Sequence, residues 1–494
     1  MARFETPDGW VVQAYRFALD PAPAQERSLW SHAGAARFAR NHMLALVKAV
    51  LDQRAAERAY GISDAGLTPA MGWSLPALRR AWNARKATAA PWWAENSKEA
   101  YNTGLDFLAR ALDAWSKSRN GQRAGAPVGF PRFHTRHDRA SVRFTTGTIR
   151  VEADRHHVTL PRLGTIRTHE PTRKLARRIE AGTGRILSAT VTRDSSGRWH
   201  VAFQVLVRRS MARPAHVGAP KHPVVGLDVG VKADSLLVAA TPDGVEAGRV
   251  PAPKSLTAAQ ARLRALQRRA ARQRGPFDTA AKRKQQPSNR WRRTQVKIGK
   301  AHARATSLRR DALHKATTRL AQRHQVIAVE TLSVAGMRRA GGTRKRGLNL
   351  ALADAALAQV RRMLAYKSTW YGSTLVEADR WYPSSKTCSG CGSRKPRLLL
   401  SERTYMCEHC GQVLDRDLNA AINLARLGDT SHTDGTRTGT GSSPAASHRA
   451  GDGRGAARET EATPVADAAG DETSTPHRQQ PGKTGTAPPQ GEAA

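Results

Sequence analysis

Four cysteines near the C-terminal end of the chain restrict its fold more than any other feature. They form two C-x-x-C pairs, "CSGC" and "CEHC", separated by fifteen residues: Cys388, Cys391, Cys407 and Cys410. Two pairs at this spacing are typical of a tetrahedral zinc site with four thiolate ligands. Since sulfur fills all four positions, we predict one structural zinc ion in a zinc ribbon at about residues 384–414. A disulfide is disfavoured in the cytoplasm, and a redox pair is disfavoured because two pairs occur in register.

The length and charge of the chain indicate several domains and a polyanionic partner. Its 494 residues exceed one ordinary core, and 39% of them are hydrophobic, which is enough to bury real cores. The formal net charge is +41, and nucleic acid is the leading candidate for the partner. The sequence has no apolar run near 18 residues, and "MARFETPDGW" lacks a signal pattern. We therefore expect a cytoplasmic protein with no membrane contact.

The composition changes abruptly at Gly428. Residues 428–494 are rich in Gly, Ser, Thr, Pro and Ala and contain no aromatic residue. Such a segment cannot bury enough apolar surface to offset its ordering entropy, so we predict that it is disordered. It contains six basic and nine acidic residues, so the positive charge belongs to residues 1–427.

Residues 1–215 predict a small β-barrel with a helical insertion at about 21–120. A strand at 10–19 is followed by helical patterning at about 24–59. An apolar stripe then indicates a second helix: Tyr101, Leu105, Leu108, Leu112 and Trp115. Short strands are predicted at about 141–151, 157–161, 164–169, 187–193 and 198–208. Because strands lie on both sides of the helices, we predict that the helices are inserted into the barrel and that this domain recognises nucleic acid.

From residue 222 to 427, strands alternate with helices, which indicates an α/β sheet. The predicted fold class is therefore α/β plus β-barrel. "VVGLDVGVK" places Asp228 in an apolar run, where Gly226 and Gly230 leave room around it. Glu330 ends the strand "QVIAVE", and Asp417 lies in the first turn of a helix that Gly428 is expected to stop.

Each of these acids has an ordinary structural interpretation when it is considered alone. Asp228 could cap a turn, Glu330 could pair with an arginine, and Asp417 could favour the start of its helix. Together they could converge on one site, where three like charges would raise one another's pKa values. Two Mg²⁺ ions roughly 4 Å apart would remove that conflict and support displacement at a phosphodiester. The same three acids are thus candidate catalytic residues and magnesium ligands.

Basic residues are concentrated in residues 262–310. This segment has seventeen Lys or Arg and one acid, Asp278, although like charges on one helix repel each other. Phosphates would relieve the repulsion. A basic, glycine-rich loop at 338–347 follows Glu330. The candidate nucleic-acid contacts are Arg290, Arg292, Arg293, Lys297, Arg338 and Arg339.

These motifs resemble the TnpB proteins of insertion sequences, which are relatives of the type V CRISPR effectors. The resemblance rests on "VVGLDVGVK", "LHKATTRLAQRHQVIAVETLSVAGM" and "CSGC…CEHCGQVLDRDLNAAINLARLG", and it covers residues 1–427. It implies an RNase H-like, RuvC-type nuclease domain interrupted by a zinc ribbon. It also implies an RNA-guided, Mg²⁺-dependent DNA endonuclease with a guide RNA and a target DNA as partners. The family's acids fall on Asp228, Glu330 and Asp417, and Asp415 is less favoured as the third.

Two other functions stay open at this point. The chain could be a catalytically silent, guide-RNA-directed DNA-binding repressor, and the presence of all three acids argues against that. It could also be a DNA transposase proper, for which the sequence shows no Tyr or Ser motif of a covalent recombinase intermediate. For the oligomeric state we favour a monomer.

Overall fold

The computed structural model describes residues 5–209, 222–275, 277–278, 283–284, 287–338, 345–399 and 401–437. The segment "SMARPAHVGAPKHP" at 210–223, whose composition predicts a linker between the two parts, lies outside these ranges except for its last two residues. The basic loop at 338–347 lies outside them except for Arg338 and residues 345–347, so Arg339 is not described. Most of the predicted disordered tail, residues 438–494, is also outside the described residues.

The N-terminal part combines one sheet with a group of helices. A long first strand leads directly into the helices: β1 (Trp10–Asp20), α1 (Pro23–Ala59), α2 (Leu75–Ala89), a 3₁₀ helix (Pro91–Glu95) and α3 (Lys98–Arg119). The remaining elements are β2 (Ser141–Phe144), β3 (Arg150–Val151), β4 (His157–Leu160), β5 (Gly164–Thr168), α4 (Arg173–Glu180), β6 (Gly184–Arg193) and β7 (Trp199–Arg208). The other predicted strands are present at nearly the predicted positions, but the single strand predicted at 141–151 was wrong, since β2 and β3 are separate strands. Helices α2 and α4 were not predicted.

The strands of this part form one antiparallel sheet of seven strands in the order β2-β6-β7-β1-β5-β4-β3. The strand β1 connects its two halves, since residues 10–18 pair with β7 and residues 19–20 pair with β5. Strands β2 and β3 are the two edges of this sheet, and among the described residues they do not pair with each other. Closure of the sheet into a barrel therefore stays a prediction. Helices α1 and α3 meet at Gly104, where a Cβ would lie 1.9 Å from the Ala36 carbonyl oxygen.

The C-terminal part begins with three consecutive strands and two long helices. These elements are β8 (Val224–Val229), β9 (Leu237–Ala240), β10 (Glu246–Val250), α5 (Ser255–Gln273), β11 (Phe277–Asp278), β12 (Arg283–Lys284) and α6 (Asn289–Arg323). The others are β13 (Val326–Val329), α7 (Val334–Arg338), α8 (Arg346–Ala355), α9 (Leu357–Tyr371), β14 (Thr374–Glu377), β15 (Thr404–Met406), β16 (Val413–Asp415) and α10 (Arg416–Arg437). None of the helices among the described residues has an apolar stretch that could span a bilayer.

The five-stranded sheet of this part has the order β10-β9-β8-β13-β14. Strands β8, β13 and β14 are parallel, while β9 runs antiparallel to both of its neighbours. The edge strand β10 was not predicted, because "EAGRV" has too few apolar residues to give a strand signal. Parallel pairing aligns Leu227 with Val329, and Val329 with Glu377. The residues that follow these positions therefore meet at one edge of the sheet.

Helix α10 packs against this sheet with main-chain atoms in close approach. A Cβ on Gly226 would lie 2.1 Å from the Ala421 oxygen and 2.2 Å from the Ala425 nitrogen. A Cβ on Gly428 would lie 3.0 Å from the Cβ of Ala328. Gly226 thus makes room for the helix rather than for Asp228, which corrects our expectation.

The expectation that Gly428 stops the helix was wrong. Because Gly428 is a packing position inside α10, the helix continues to Arg437. The boundary of the predicted disordered tail at residue 428 was therefore also wrong for residues 428–437. The composition of that segment is polar, but its first turns continue a helix whose start is anchored on the sheet.

Candidate active site and zinc ribbon

Three segments of the C-terminal part bring the predicted acids together. Asp228 lies near the end of β8, Glu330 directly follows β13, and Asp417 is the second residue of α10. The two parallel strands place the first two acids side by side, and the packing of α10 adds the third. Burial and, after it, the negative charges of Glu330 and Asp417 raise the pKa of Asp228 well above its ordinary range.

Burial also raises the pKa of Glu330, to about 7. A backbone hydrogen bond from Val229 and the charge of Arg416 act in the opposite direction, while the charge of Asp417 acts in the same direction as burial. Without a cation beside it, the carboxyl of Glu330 is therefore harder to ionise than an ordinary glutamate. A divalent cation would favour the ionised carboxylates, as expected for like charges gathered at one site.

Lys232 is a site residue that the sequence analysis missed. Its Nζ lies 2.5 Å from Asp417 Oδ2 and 4.0 Å from Asp415 Oδ2. Asp417 is 6% exposed, so this ion pair balances a buried charge. The only sequence signal was the position of Lys232 at the end of "VVGLDVGVK", the same segment that contains Asp228.

Asp415 caps the helix that carries Asp417. Its Oδ1 accepts hydrogen bonds from the backbone nitrogens of Asp417, at 2.9 Å, and of Leu418, at 3.0 Å. This is the geometry of an N-cap residue, which satisfies amides that have no partner inside the helix. A structural role for Asp415 supports the choice of Asp417 as the third acid of the site.

The three acids offer only oxygen ligands, and this set fits Mg²⁺. Among the described residues, only the four cysteines form a group of three or more possible ligands whose atoms all lie within 4.8 Å of one another. The three acids are not such a group. Mg²⁺ is commonly bound by one or two carboxylates and keeps several waters or phosphate oxygens, so an open set of acids suits it.

The four cysteines form a compact cluster of sulfur atoms. Cys388 Sγ lies 3.6 Å from Cys410 Sγ, and Cys391 Sγ lies 3.6 Å from Cys407 Sγ. A disulfide would require about 2.05 Å. A tetrahedral site with Zn–S bonds of about 2.3 Å has sulfur–sulfur edges of about 3.8 Å. The cluster therefore fits a structural zinc ion closely.

The backbone of the two C-x-x-C turns prepares these sulfurs for a metal. Hydrogen bonds from the amides of Cys410 and His409 lower the pKa of Cys407 to about 6. For Cys391 the Ser393 amide acts in the same direction, but burial and the three neighbouring sulfurs raise its pKa to about 12. A divalent cation would remove this mutual repulsion and allow all four thiols to ionise.

The ribbon is attached to α10 by two asparagines that the sequence analysis did not assign. Asn419 Nδ2 donates to the Thr387 oxygen at 2.7 Å, and its Oδ1 accepts from the Ser389 nitrogen at 2.9 Å. Asn423 Nδ2 donates to the oxygens of Ser384 and Thr387. Their spacing of four residues on one helix face was the available signal. The first C-x-x-C turn is thus bonded to the helix that carries Asp417.

Three family models match segments of the chain. A helix-turn-helix model matches residues 11–55, an OrfB_IS605 model described as a probable transposase matches 203–341, and a Cas12f1-like TNB domain model matches 358–424. In the structure, the first segment is β1 followed by the continuous helix α1.

The "Putative RNA-guided DNA endonuclease Rv2885c" of Mycobacterium tuberculosis is 42% identical over 435 residues, which are 86% of this chain and 88% of the relative. The "Putative RNA-guided DNA endonuclease InsQ" of Escherichia coli K12 is 28% identical over 427 residues, covering 84% and 92% of the two chains. A mimivirus "TnpB-like protein L79" is 30% identical over 142 residues, or 28% of this chain and 27% of the relative. The chain belongs to the TnpB family. The resemblance found in the sequence is thereby confirmed.

Solved structures give weaker likenesses to this TnpB family member. A Cas12f1–sgRNA–target DNA complex covers 85% of this chain and 99% of its own, with a TM-score of 0.42 and 13% identity. The mini-RNA-guided endonuclease CRISPR-Cas_phi3 covers 85% and 92% of the two chains, with a TM-score of 0.42 and 10% identity. The family assignment rests on the relatives.

The predicted nucleic-acid contacts of this TnpB protein lie mainly on one helix end. Arg290, Arg292, Arg293 and Lys297 are exposed on the N-terminal half of α6, and Arg338 is exposed at the end of α7. Ser288 caps α6, and the Arg274 guanidinium lies 5.4 Å from the Trp291 ring centroid. The basic residues are thus presented on an ordered helix rather than on a loop.

We expect the substitutions Arg290→Gln, Arg292→Gln and Arg293→Gln together to weaken nucleic-acid binding and its salt dependence. Each lost contact to a phosphate should reduce the log–log slope by about 0.9 on duplex DNA and about 0.7 on single strands. Fluorescence anisotropy over a salt series measures this slope. The control is Lys48→Gln with Lys117→Gln, since these lysines already pair with Asp52 and Asp113. An unchanged slope in the triple variant would contradict the assignment.

Proposed function

We propose that this TnpB protein is an RNA-guided DNA endonuclease that hydrolyses phosphodiester bonds with Mg²⁺ and supports a mobile element. The observation that carries this proposal is the gathering of Asp228, Glu330 and Asp417 from two strand ends and one helix start. The names of the relatives, which describe RNA-guided DNA endonucleases, support the guide RNA and the target DNA as partners.

The strand order supports an RNase H-like, RuvC-type nuclease domain. Strands β10, β9 and β8 are neighbours with antiparallel pairing, and β13 and β14 continue the sheet from β8 with parallel pairing. Helix α10 packs on the same sheet. In this proposal the nuclease domain covers residues 222–427, and the zinc ribbon at about 384–414 interrupts it. Residues 1–215 are proposed as the domain that recognises nucleic acid, with the helices inserted at about 21–120.

The chain's own residues would prepare the site for a phosphodiester. Asp228, Glu330 and Asp417 would hold two Mg²⁺ ions. When bound, these cations would stabilise the negative charge on the attacking and leaving oxygens. Lys232 would hold Asp417 in place through their 2.5 Å ion pair and would add positive charge beside the substrate phosphate. The exposed basic residues of α6 would contact the nucleic-acid backbone, which positions the strand without reading its sequence.

The experiment that tests this function starts from RNA that copurifies with the full chain. Sequencing identifies the RNA, and a plasmid that carries a matching target and randomised flanking bases is then incubated with the complex and Mg²⁺. We expect cleavage only when the guide matches and only with the divalent cation. If the complex bound the matching target but did not cleave it with any of the divalent cations tested, the result would instead support the repressor. Joining of DNA strands would support the transposase.

A further inference from the structure

A tryptophan is exposed to solvent on the turn that follows β14. Trp381 is 78% exposed, and among the exposed large hydrophobic residues of the described chain only Tyr60, at 87%, is more exposed. The Arg380 guanidinium lies over its ring, 5.0 Å from the centroid. A single exposed apolar residue is ordinary on a protein surface, so its exposure alone carries no conclusion. Its significance depends on the hydrogen bonds that hold its turn and on the place of that turn in the sheet.

The backbone that carries Trp381 is fixed on both sides. The Ala378 nitrogen donates to the Val329 oxygen at 2.9 Å, and Thr331 Oγ1 donates to the Ala378 oxygen at 2.8 Å. After the tryptophan, the Tyr382 hydroxyl donates to the Asn423 oxygen of α10 at 3.1 Å. The turn is therefore bonded both to the sheet and to the helix of the acid site.

The turn itself is closed by Asp379. Its Oδ1 accepts from the Trp381 nitrogen at 2.8 Å, and its carbonyl oxygen accepts from the Tyr382 nitrogen at 3.0 Å. The partly buried Tyr382 packs with Leu424 against the sheet, so consecutive aromatic side chains have opposite environments. An indole on such a turn loses little conformational entropy when it binds a ligand.

The position of the turn relates it to the acids. Strand β14 ends at Glu377, which is aligned with Val329 in the parallel pair. Ala378 is therefore aligned with Glu330, and Trp381 follows three residues later at the same edge of the sheet. The turn and the acids therefore lie at the same end of the sheet.

We propose that Trp381, together with Arg380, is a stacking platform for one nucleobase of single-stranded DNA that enters the acid site. This inference rests on the proposed nuclease function. A flat indole accepts any base, and stacking of this kind is sequence-tolerant. The arginine covers one side of the ring and provides a cation for the adjacent phosphate, which leaves the exposed side for a base.

The test compares Trp381→Ala, Trp381→Phe and the control Val245→Ala in the full chain with its copurified RNA; Val245 is 57% exposed between β9 and β10, at the end of the sheet opposite the acids. Binding of a short single-stranded DNA carrying 2-aminopurine is measured without Mg²⁺. We expect Trp381→Ala to bind roughly 5- to 150-fold more weakly and to lose the quenching of 2-aminopurine that stacking produces. Trp381→Phe should retain part of both, and Val245→Ala should match the wild type. Zinc content and melting temperature should be unchanged in all three.

The design separates this inference from the proposed function, since binding and quenching need no cleavage. Wild-type protein that quenches but never cuts would refute the nuclease and keep the platform. Trp381→Ala protein that binds and quenches as the wild type does would refute the platform. Two other outcomes would also overturn the proposal. If Trp381→Ala weakened binding of an RNA oligonucleotide of the same sequence but not of the DNA, the indole would belong to a guide-RNA contact. If Trp381→Ala changed the oligomeric mass, the indole would belong to a contact with a second copy of the chain.

Discussion

Cleavage should fall to background in Asp228→Asn, while the protein stays folded and keeps its nucleic acids. The amide has the shape of the carboxylate but not its charge, so it removes a cation ligand and relieves repulsion from Glu330 and Asp417. The charge stabilisation that a metal site supplies is worth several kcal/mol, which corresponds to a rate loss on the order of a thousandfold. Cleavage with Mg²⁺, binding and a melting curve on the same preparation measure all three consequences.

The neighbouring aspartate provides the matched control for this experiment. Asp415→Asn carries the same charge change two residues from Asp417, and asparagine is as good an N-cap as aspartate. We expect Asp415→Asn to cut and Asp417→Asn and Glu330→Gln to be silent. Double variants of the three acids should be no worse than single ones, because groups that act as a unit are not additive. The reverse pattern, with Asp415 essential and Asp417 dispensable, would overturn the assignment.

The second large effect concerns zinc. Cys407→Ser should reduce zinc from about one equivalent per chain to none and unfold the ribbon, since structural zinc contributes on the order of 10 kcal/mol to small domains. Cleavage should fall as well, because Asn419 and Asn423 of α10 would lose the backbone oxygens of Thr387 and Ser384 that they bind. Metal analysis, a melting curve and a cleavage assay check these outcomes.

A neighbouring serine gives the control for the zinc experiment. Ser389 lies inside the first C-x-x-C turn, and its buried hydroxyl has no hydrogen-bond partner among the residues that the structure describes. Ser389→Ala should therefore retain zinc, stability and cleavage. A Cys407→Ser protein that is free of zinc and still cuts at the wild-type rate would show that the ribbon does not depend on the metal.

The site could be predicted from the sequence where a local pattern encodes a residue's environment. The cysteines were found from their spacing, and the acids from their positions at the ends of apolar runs. Lys232, Asn419 and Asn423 have no such pattern, because each is defined by a contact with a segment distant in the chain. The edge strand β10 was missed for a related reason, since its residues are largely exposed and carry no alternating apolar signal.

The contact between Gly226 and α10 makes the spacing of the carboxylates independent of the packing that sets thermostability. With no side chain between them, the helix rests on the strand at main-chain distance, and a methyl group there would meet the Ala421 oxygen at 2.1 Å. The separation between Asp228 and Asp417 is therefore set by contacts between backbone atoms, not by the volume of the surrounding apolar side chains. Libraries that repack the far side of the sheet can adjust thermostability without retuning the carboxylate spacing, provided that position 226 is kept invariant.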